Sequence, residues 1–227
     1  MFLKQFKVMF SICFATAALL MGFSPLNQAQ ATTKSSIIKE KPVVRVNVGV
    51  LPEHKTIESL SMDSILVVRA TVLKRLKSRE LLIRYENIPE SKQKEVRDFL
   101  PPFWVTDSVS QIEEILAGAD EGLKINQAIK VQQLGGETSE YVFETENNPL
   151  LEKRSEVVLF LNRYIDSYGR GTDKYQVIGN DEGHLIVTDG WVNASANWKG
   201  LNTDGRAFSG MSLEELRTKI NNVGTGN

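Results

Sequence analysis

The sequence predicts a mainly β protein: a small antiparallel barrel carrying a short inserted helix and a C-terminal helix. Two observations predict it. Short runs rich in β-branched and apolar residues recur from Val44 to Val187, and clusters of Gly, Asn, Asp and Pro punctuate them. Helical periodicity is scarce, and neither an internal repeat nor a low-complexity tract interrupts the pattern.

The first 31 residues read as an export signal. Lys4 and Lys7 give a cationic start, Val8 to Phe23 is an uncharged, mostly apolar run, and Ala29-Gln30-Ala31 is a small-x-small cleavage site. At 16 residues the run falls short of the roughly 20 a permanent span needs. No later stretch is as long without charges, so no membrane span is expected once the signal is removed. Cys13 lies inside the run, and Phe10-Ser11-Ile12 before it lacks the small residue of a lipid-modification site. It is read as discarded with the signal. The mature chain, from Thr32, then has 196 residues and no cysteine, which leaves out disulfides, thiolate zinc sites and thiol nucleophiles. A cysteine-free exported chain points to a bacterial exoprotein, secreted or cell-wall associated.

The elements follow in order. Thr32 to Lys41 is polar and aperiodic, a flexible leader. Val44, Val46, Val48 and Val50 alternate with Arg45, Asn47 and Gly49, and Pro42 and Pro52 bracket them, as in an edge strand or a stand-alone extended segment. Ile57 to Met62 makes one helical turn. Ser64 to Leu76 is the strongest strand, with Leu81 to Tyr85 as its hairpin partner. Between Pro89 and Pro101, the charged run from Glu90 to Phe99 suggests the inserted helix, with Val96, Phe99 and Leu100 inward. Ser108 to Gly118 fits a Ser108-capped helix or a bulged strand. The glycine-bearing link into the Ile125 to Leu134 strand favours the second, as one arm of a hairpin. Gly135-Gly136 ends that strand, Tyr141 to Phe143 forms a short one, and Glu156 to Tyr164 is again strong. Lys174 to Ile178 and His184 to Val187 read as a final hairpin around Asn180 to Gly183. After Asp189-Gly190 the composition turns to Asn, Ser, Gly and Trp. A last helix then starts at Ser212, with Glu215 three residues on in capping-box spacing and Leu213, Leu216 and Ile220 facing inward. This divides the chain into signal (1–31), leader and edge strand (32–62), barrel (63–189) and tail with helix (190–227). Val67, Val72, Val131, Val158, Leu159 and Ile186 are the expected core.

One order of features is familiar. The strand Asp63 to Val72, then Ile115-Leu116-Ala117-Gly118, Ile129 to Gly136, Val157 to Leu161 and the Tyr-x-Val-x-Gly strand at Tyr175 to Gly179 resemble a loose group of uncharacterised exported proteins. These come mostly from Gram-positive bacteria and carry an OB-like barrel. The resemblance covers Asp63 to Asp189 and implies a fold and a compartment, with no functional residue carried over. The long insertion from Leu76 to Val105 departs from it.

Charge and motifs narrow the chemistry. The mature chain carries 25 basic and 28 acidic side chains, a net of −3, which argues against a nucleic-acid partner. Lys74, Arg75, Lys77 and Arg79 form the one dense basic run and read as a solvated strand end. His54 and His184, the only histidines, are 130 positions apart with no second ligand at helical spacing, and both are expected at the surface. Gly169-Arg170-Gly171 opens no helix and reads as a hairpin loop rather than a phosphate cradle. The acidic pairs Glu113-Glu114 and Glu214-Glu215 read as solvated, and no cofactor is called for.

The candidate ligand-binding residues are Trp191, Asn193 and Trp198. Aromatic rings with amide neighbours stack on sugars or bases while the amides hydrogen-bond. The preferred reading of the pair, since large aromatics serve packing first, has both indoles pinning the tail onto the barrel. Asn193-Ala194-Ser195 also matches a glycosylation pattern of little weight in a bacterium. The expected function is a non-catalytic exported binding module, its partner a cell-wall glycan or another exported protein. The alternatives are an extracellular hydrolase using paired acidic residues, and an inhibitor or chaperone-like partner.

Overall fold

A computed structural model describes residues 41–46, 56–81, 89, 91–92, 94–95, 102–120, 122–145, 149–166, 169–179, 182–194 and 210–224. In chain order these give β1 (Val43–Val46), α1 (Ile57–Asp63), β2 (Leu66–Arg75), β3 (Arg79–Glu80), β4 (Trp104–Gly118), β5 (Ala128–Leu134), β6 (Gly136–Glu137) and β7 (Val142–Thr145). β8 (Glu156–Ile165), β9 (Gly171–Val177), β10 (His184–Thr188), β11 (Trp191–Ala194), β12 (Met211–Ser212) and α2 (Leu213–Gly224) complete them. No described helix is long and apolar enough to cross a membrane.

Five strands close a barrel in the circuit β2–β4–β5–β9–β8 and back to β2. Counted along the barrel, that is the order 1-2-3-5-4, antiparallel everywhere except between β5 and β9. It is an OB-like barrel. Three register shifts between β2 and β4, at Val67/Val68, Arg69/Ala70 and Val72/Lys74, let the long strands coil tightly enough to close.

Two cores explain the sequence pattern. Leu66, Val68, Ala70 and Val72 of β2 face the barrel interior with Ile112, Ile129, Val131, Val157, Leu159, Leu161 and Tyr175. The intervening Val67, Val158 and Phe160 face outward, into a second core with Leu185, Val187, Val192, Met211 and the helix residues Ile57, Leu60, Leu216 and Ile220. A strand buried on both faces reads as an unbroken apolar run, which is why β2 and β8 stood out. The outer core exists because β10 pairs with the first half of β8, alongside β9 on its second half, and extends the sheet through β11 to β12.

α1 and α2 lie on this outer layer. Thr56 and Ser59 form a capping box at the start of α1. The Glu215 N–H donates to the Ser212 hydroxyl at 3.1 Å to start α2. Arg217 then grips Glu114 of β4 through two hydrogen bonds of 2.8 Å, and Lys219 reaches Glu58 of α1 at 3.3 Å.

The other end of the barrel is capped by a separate three-stranded sheet, ordered β1–β7–β6, with β1 parallel to β7. Buried Gln133 fixes the loop that follows: its Nε2 donates to the Pro149 carbonyl at 3.0 Å and its Oε1 accepts from the Leu151 N–H at 2.9 Å. Leu151, fully buried, thereby plugs the barrel interior. Gly136 permits the tight passage from β5 to the cap; its φ is +152°, and a Cβ there would run into the Ser78 side chain.

The barrel, the β4–β5 hairpin and the capped C-terminal helix stand as expected; of the six residues named for the barrel core, Val72, Val131 and Leu159 enter it, while Val67 and Val158 enter the outer core. Several expectations do not stand. β2 takes β4 and β8 as its partners, where a hairpin arm at Leu81 to Tyr85 was expected; β3 at Arg79–Glu80 pairs with β4, and residues 82–85 lie outside the described ones. Ile125 is 56% exposed in a turn, and its strand starts at Ala128. β9 and β10 do not pair as a hairpin, since each takes a different half of β8. That placement exposes Ile186 and buries Leu185 in the core instead. It also buries His184, expected at the surface. Val43 and Val44 of β1 are both exposed, so that strand is held by its pairing with β7 and the Arg45–Glu144 ion pair. Residues 191–194 form β11 rather than a linker, because Val192 fills the outer core. The inserted helix is present at Ser91, Lys92, Lys94 and Glu95, while Val96, Phe99 and Leu100 lie outside the described residues, as do the signal and the leader up to residue 40.

Candidate functional site

The outer surface of β4, β5 and β9 is polar where the corresponding surface of β2 and β8 is apolar. Strand alternation sets this, placing Asp107 of β4 beside Gln132 of β5, which in turn pairs with Gln176 of β9. Val109, Lys130 and Lys174 form the next row. Arg79 of β3 reaches across β4: its guanidinium donates to the Gln132 Oε1 and lies 3.5 Å from Asp107. The Lys174 ammonium donates to the other Asp107 oxygen at 2.6 Å. Asp107 is therefore nearly buried between two cations of opposite strands, and its Oδ1 has no hydrogen-bond partner. Beside this knot, Lys130 and Asp173 pair in solvent at 2.6 Å, which holds the Asp173 carboxyl below its ordinary range. The face offers fixed donors and acceptors whose side chains are already positioned by strand pairing.

At the far end of the same strands a second knot secures the barrel. The Tyr175 hydroxyl donates to Asp120, which also pairs with Arg163, and the guanidinium lies 5.4 Å from the Tyr175 ring centre. Burial, with Asp120 adding to it, pushes the Tyr175 phenol up to about 12. It stays protonated and acts as a fastening for the β4–β5 connection.

A cleft of about 1490 Å³ opens between the cap and the barrel end. Trp104 at the start of β4 and Tyr141 before β7 stand edge to face in its wall, with the indole N–H donating to the tyrosine oxygen at 2.8 Å. Glu137 lies on its rim, held ionised below its usual range by a hydrogen bond from Lys41. That direction is the reverse of what a catalytic acid needs.

The sequence candidates lie elsewhere. Trp191 and Asn193 stand two positions apart on β11, on one face with Ile186 of β10, and Trp191 is 57% exposed. Trp198 lies outside the described residues. Structure thus brings two of the three together at the opposite edge of the sheet from Asp107. The residues missed were Arg79, Asp107, Gln132 and Lys174. Only the pairing of β9 with β5 brings Lys174 to Asp107 across 67 positions, and nothing local signals it. No family model, no curated protein and no solved structure matches the chain.

Proposed function

We propose that the chain is an exported, non-catalytic binding module that contacts a cell-wall glycan through the β4–β5–β9 face. The Arg79–Asp107–Gln132–Lys174 network carries this reading. It is a preformed polar surface on the strands that OB-like barrels use for oligosaccharides and oligonucleotides, and the acidic balance of the chain argues against the second ligand class. Binding to donors already fixed by strand pairing avoids ordering flexible side chains. Lys4, Lys7, the Val8 to Phe23 run and Ala29-Gln30-Ala31 support export, as does the resemblance to exported barrels.

The test is a nuclear magnetic resonance titration of the mature chain with solubilised peptidoglycan fragments. Shifts confined to the amides of residues 105–111, 128–134 and 172–176 are expected. Shifts confined to Trp191 and Asn193 would move the site to the tail, and an absence of shifts would end the glycan reading.

A further inference from the structure

The cleft at the barrel end has a charge pattern distinct from the β4–β5–β9 face, and it points to a separate ligand. Backbone hydrogen bonds from the Arg154 N–H to the Val72 carbonyl (2.8 Å) and from the Val72 N–H to the Ser155 carbonyl (3.0 Å) lay the 152–155 loop along the end of β2. That contact joins Lys153 to Arg75 and Lys77, three cations on one rim. None of the three makes an ion pair among the described residues, though the Arg75 charge also acts on Glu137 from a distance. Lys74 and Arg154 stand next to them in the chain and are also exposed and without an ion pair there. On the facing side, by contrast, Glu137 and Glu144 are already neutralised by Lys41 and Arg45.

Below the rim the wall is uncharged. Ser78, Thr106, Thr138 and Ser139 line it beside the rings of Trp104 and Tyr141. Its backbone donors are taken: the Gly135 N–H by the Trp104 carbonyl, the Glu137 N–H by the Ser78 hydroxyl, and the Thr138 N–H by the Tyr141 carbonyl. A peptide strand could not add to this edge, because strand addition needs open main-chain groups. Glu140 and Glu152 on the rim also disfavour a backbone with a charge on every unit. What remains is a chain of sugar rings for the aromatic and hydroxyl wall, with spaced anionic groups for the cations.

We propose that this cleft is a second binding site, one that takes an acidic polysaccharide: its carboxylate or phosphate groups sit at Arg75, Lys77 and Lys153, and its sugar rings lie against Trp104 and Tyr141. It goes beyond the proposed function, since neither site needs the other.

The experiment is isothermal titration of the mature chain with hyaluronate, which carries a carboxylate on alternate rings, dextran phosphate, plain dextran, polyglutamate and a thymidine oligonucleotide, at low and high salt. Hyaluronate or dextran phosphate should bind, and which of them binds more tightly identifies the anion. Plain dextran should bind far more weakly, and salt should weaken the acidic ligands. The double variant Lys77→Glu/Lys153→Glu should weaken acidic-glycan binding by roughly tenfold or more, and Glu140→Lys should tighten it. Lys124→Glu, exposed in the β4–β5 connection and outside both sites, should leave it unchanged. Equal affinity in Lys77→Glu/Lys153→Glu would overturn the proposal. So would dextran, polyglutamate or the oligonucleotide binding as tightly as the acidic glycans, or no acidic glycan binding at all.

Discussion

His184 should make the fold sensitive to mild acid. It faces Leu159 across the β8–β10 ladder, is 4% exposed, and its Nδ1 has no hydrogen-bond partner. Burial alone pushes its imidazole down from 6.5 to about 4. The unfolded chain keeps the ordinary value and therefore binds the proton more readily between those limits. Stability is thus full above about pH 6.5, falls as the pH drops toward 4, and levels off below that. Between pH 7 and 5 the loss works out at about 2 kcal/mol, on the order of 3 kcal/mol for the whole depression. With a typical urea slope of about 2 kcal/mol/M, the unfolding midpoint should fall by about 1 M. Urea titrations of the chain from Thr32 onward by circular dichroism at pH 7, 6 and 5 measure it, with His184→Gln as the chain lacking this proton site. His54, the only other histidine, is common to both. If His184→Gln loses stability in parallel with the wild type, the buried-imidazole account is wrong.

Three further outcomes follow from the packing and the ion pairs. Leu159→Ala and Phe160→Ala, neighbours that enter different cores, should each cost about 3–4 kcal/mol with an unchanged urea slope, since barrel and outer layer share β8; a loss under about 1 kcal/mol for either would refute its placement. Lys174→Met leaves nearly buried Asp107 with only the longer Arg79 contact and should cost about 2–3 kcal/mol by thermal melt, whereas an unchanged melting temperature would mean the knot is not formed. Glu114 is held ionised mainly by its hydrogen bond from Arg217, so its contribution is present above the ordinary carboxylate range and lost as the pH falls through its lowered value. Hydrogen exchange in α2 should therefore quicken in Glu114→Gln at neutral pH, and equal protection would show that apolar contacts alone hold the helix.

The barrel was legible because its strongest signals were two-faced. The unbroken runs at Leu66 to Val68 and Val157 to Leu161 marked strands buried on both sides, and Gly118 and Gly122 marked the β4–β5 turn. The Ser212 cap announced α2, although its end at Gly224 carried no stop signal before the glycine itself. What failed was pairing. From Lys174 to Val187 the local pattern is that of a hairpin, and only tertiary closure sends β9 to β5 while leaving β10 for the outer layer. The burial of His184, the exposure of Ile186 and the meeting of Lys174 with Asp107 all follow from that one event. The candidate site was hidden for the same reason: its charges come from β3, β4, β5 and β9, each unremarkable in its own stretch.

The central claim, a binding face that leaves its ligand intact, is tested most directly by one titration. Solubilised peptidoglycan fragments are titrated into the wild type and into Lys130→Glu, and the recovered fragments are weighed by mass spectrometry. The account predicts saturable binding, roughly tenfold weaker in Lys130→Glu with the melting temperature unchanged, and fragments of unaltered mass. Equal affinity in the two chains, no binding, or fragments shortened by hydrolysis would contradict it.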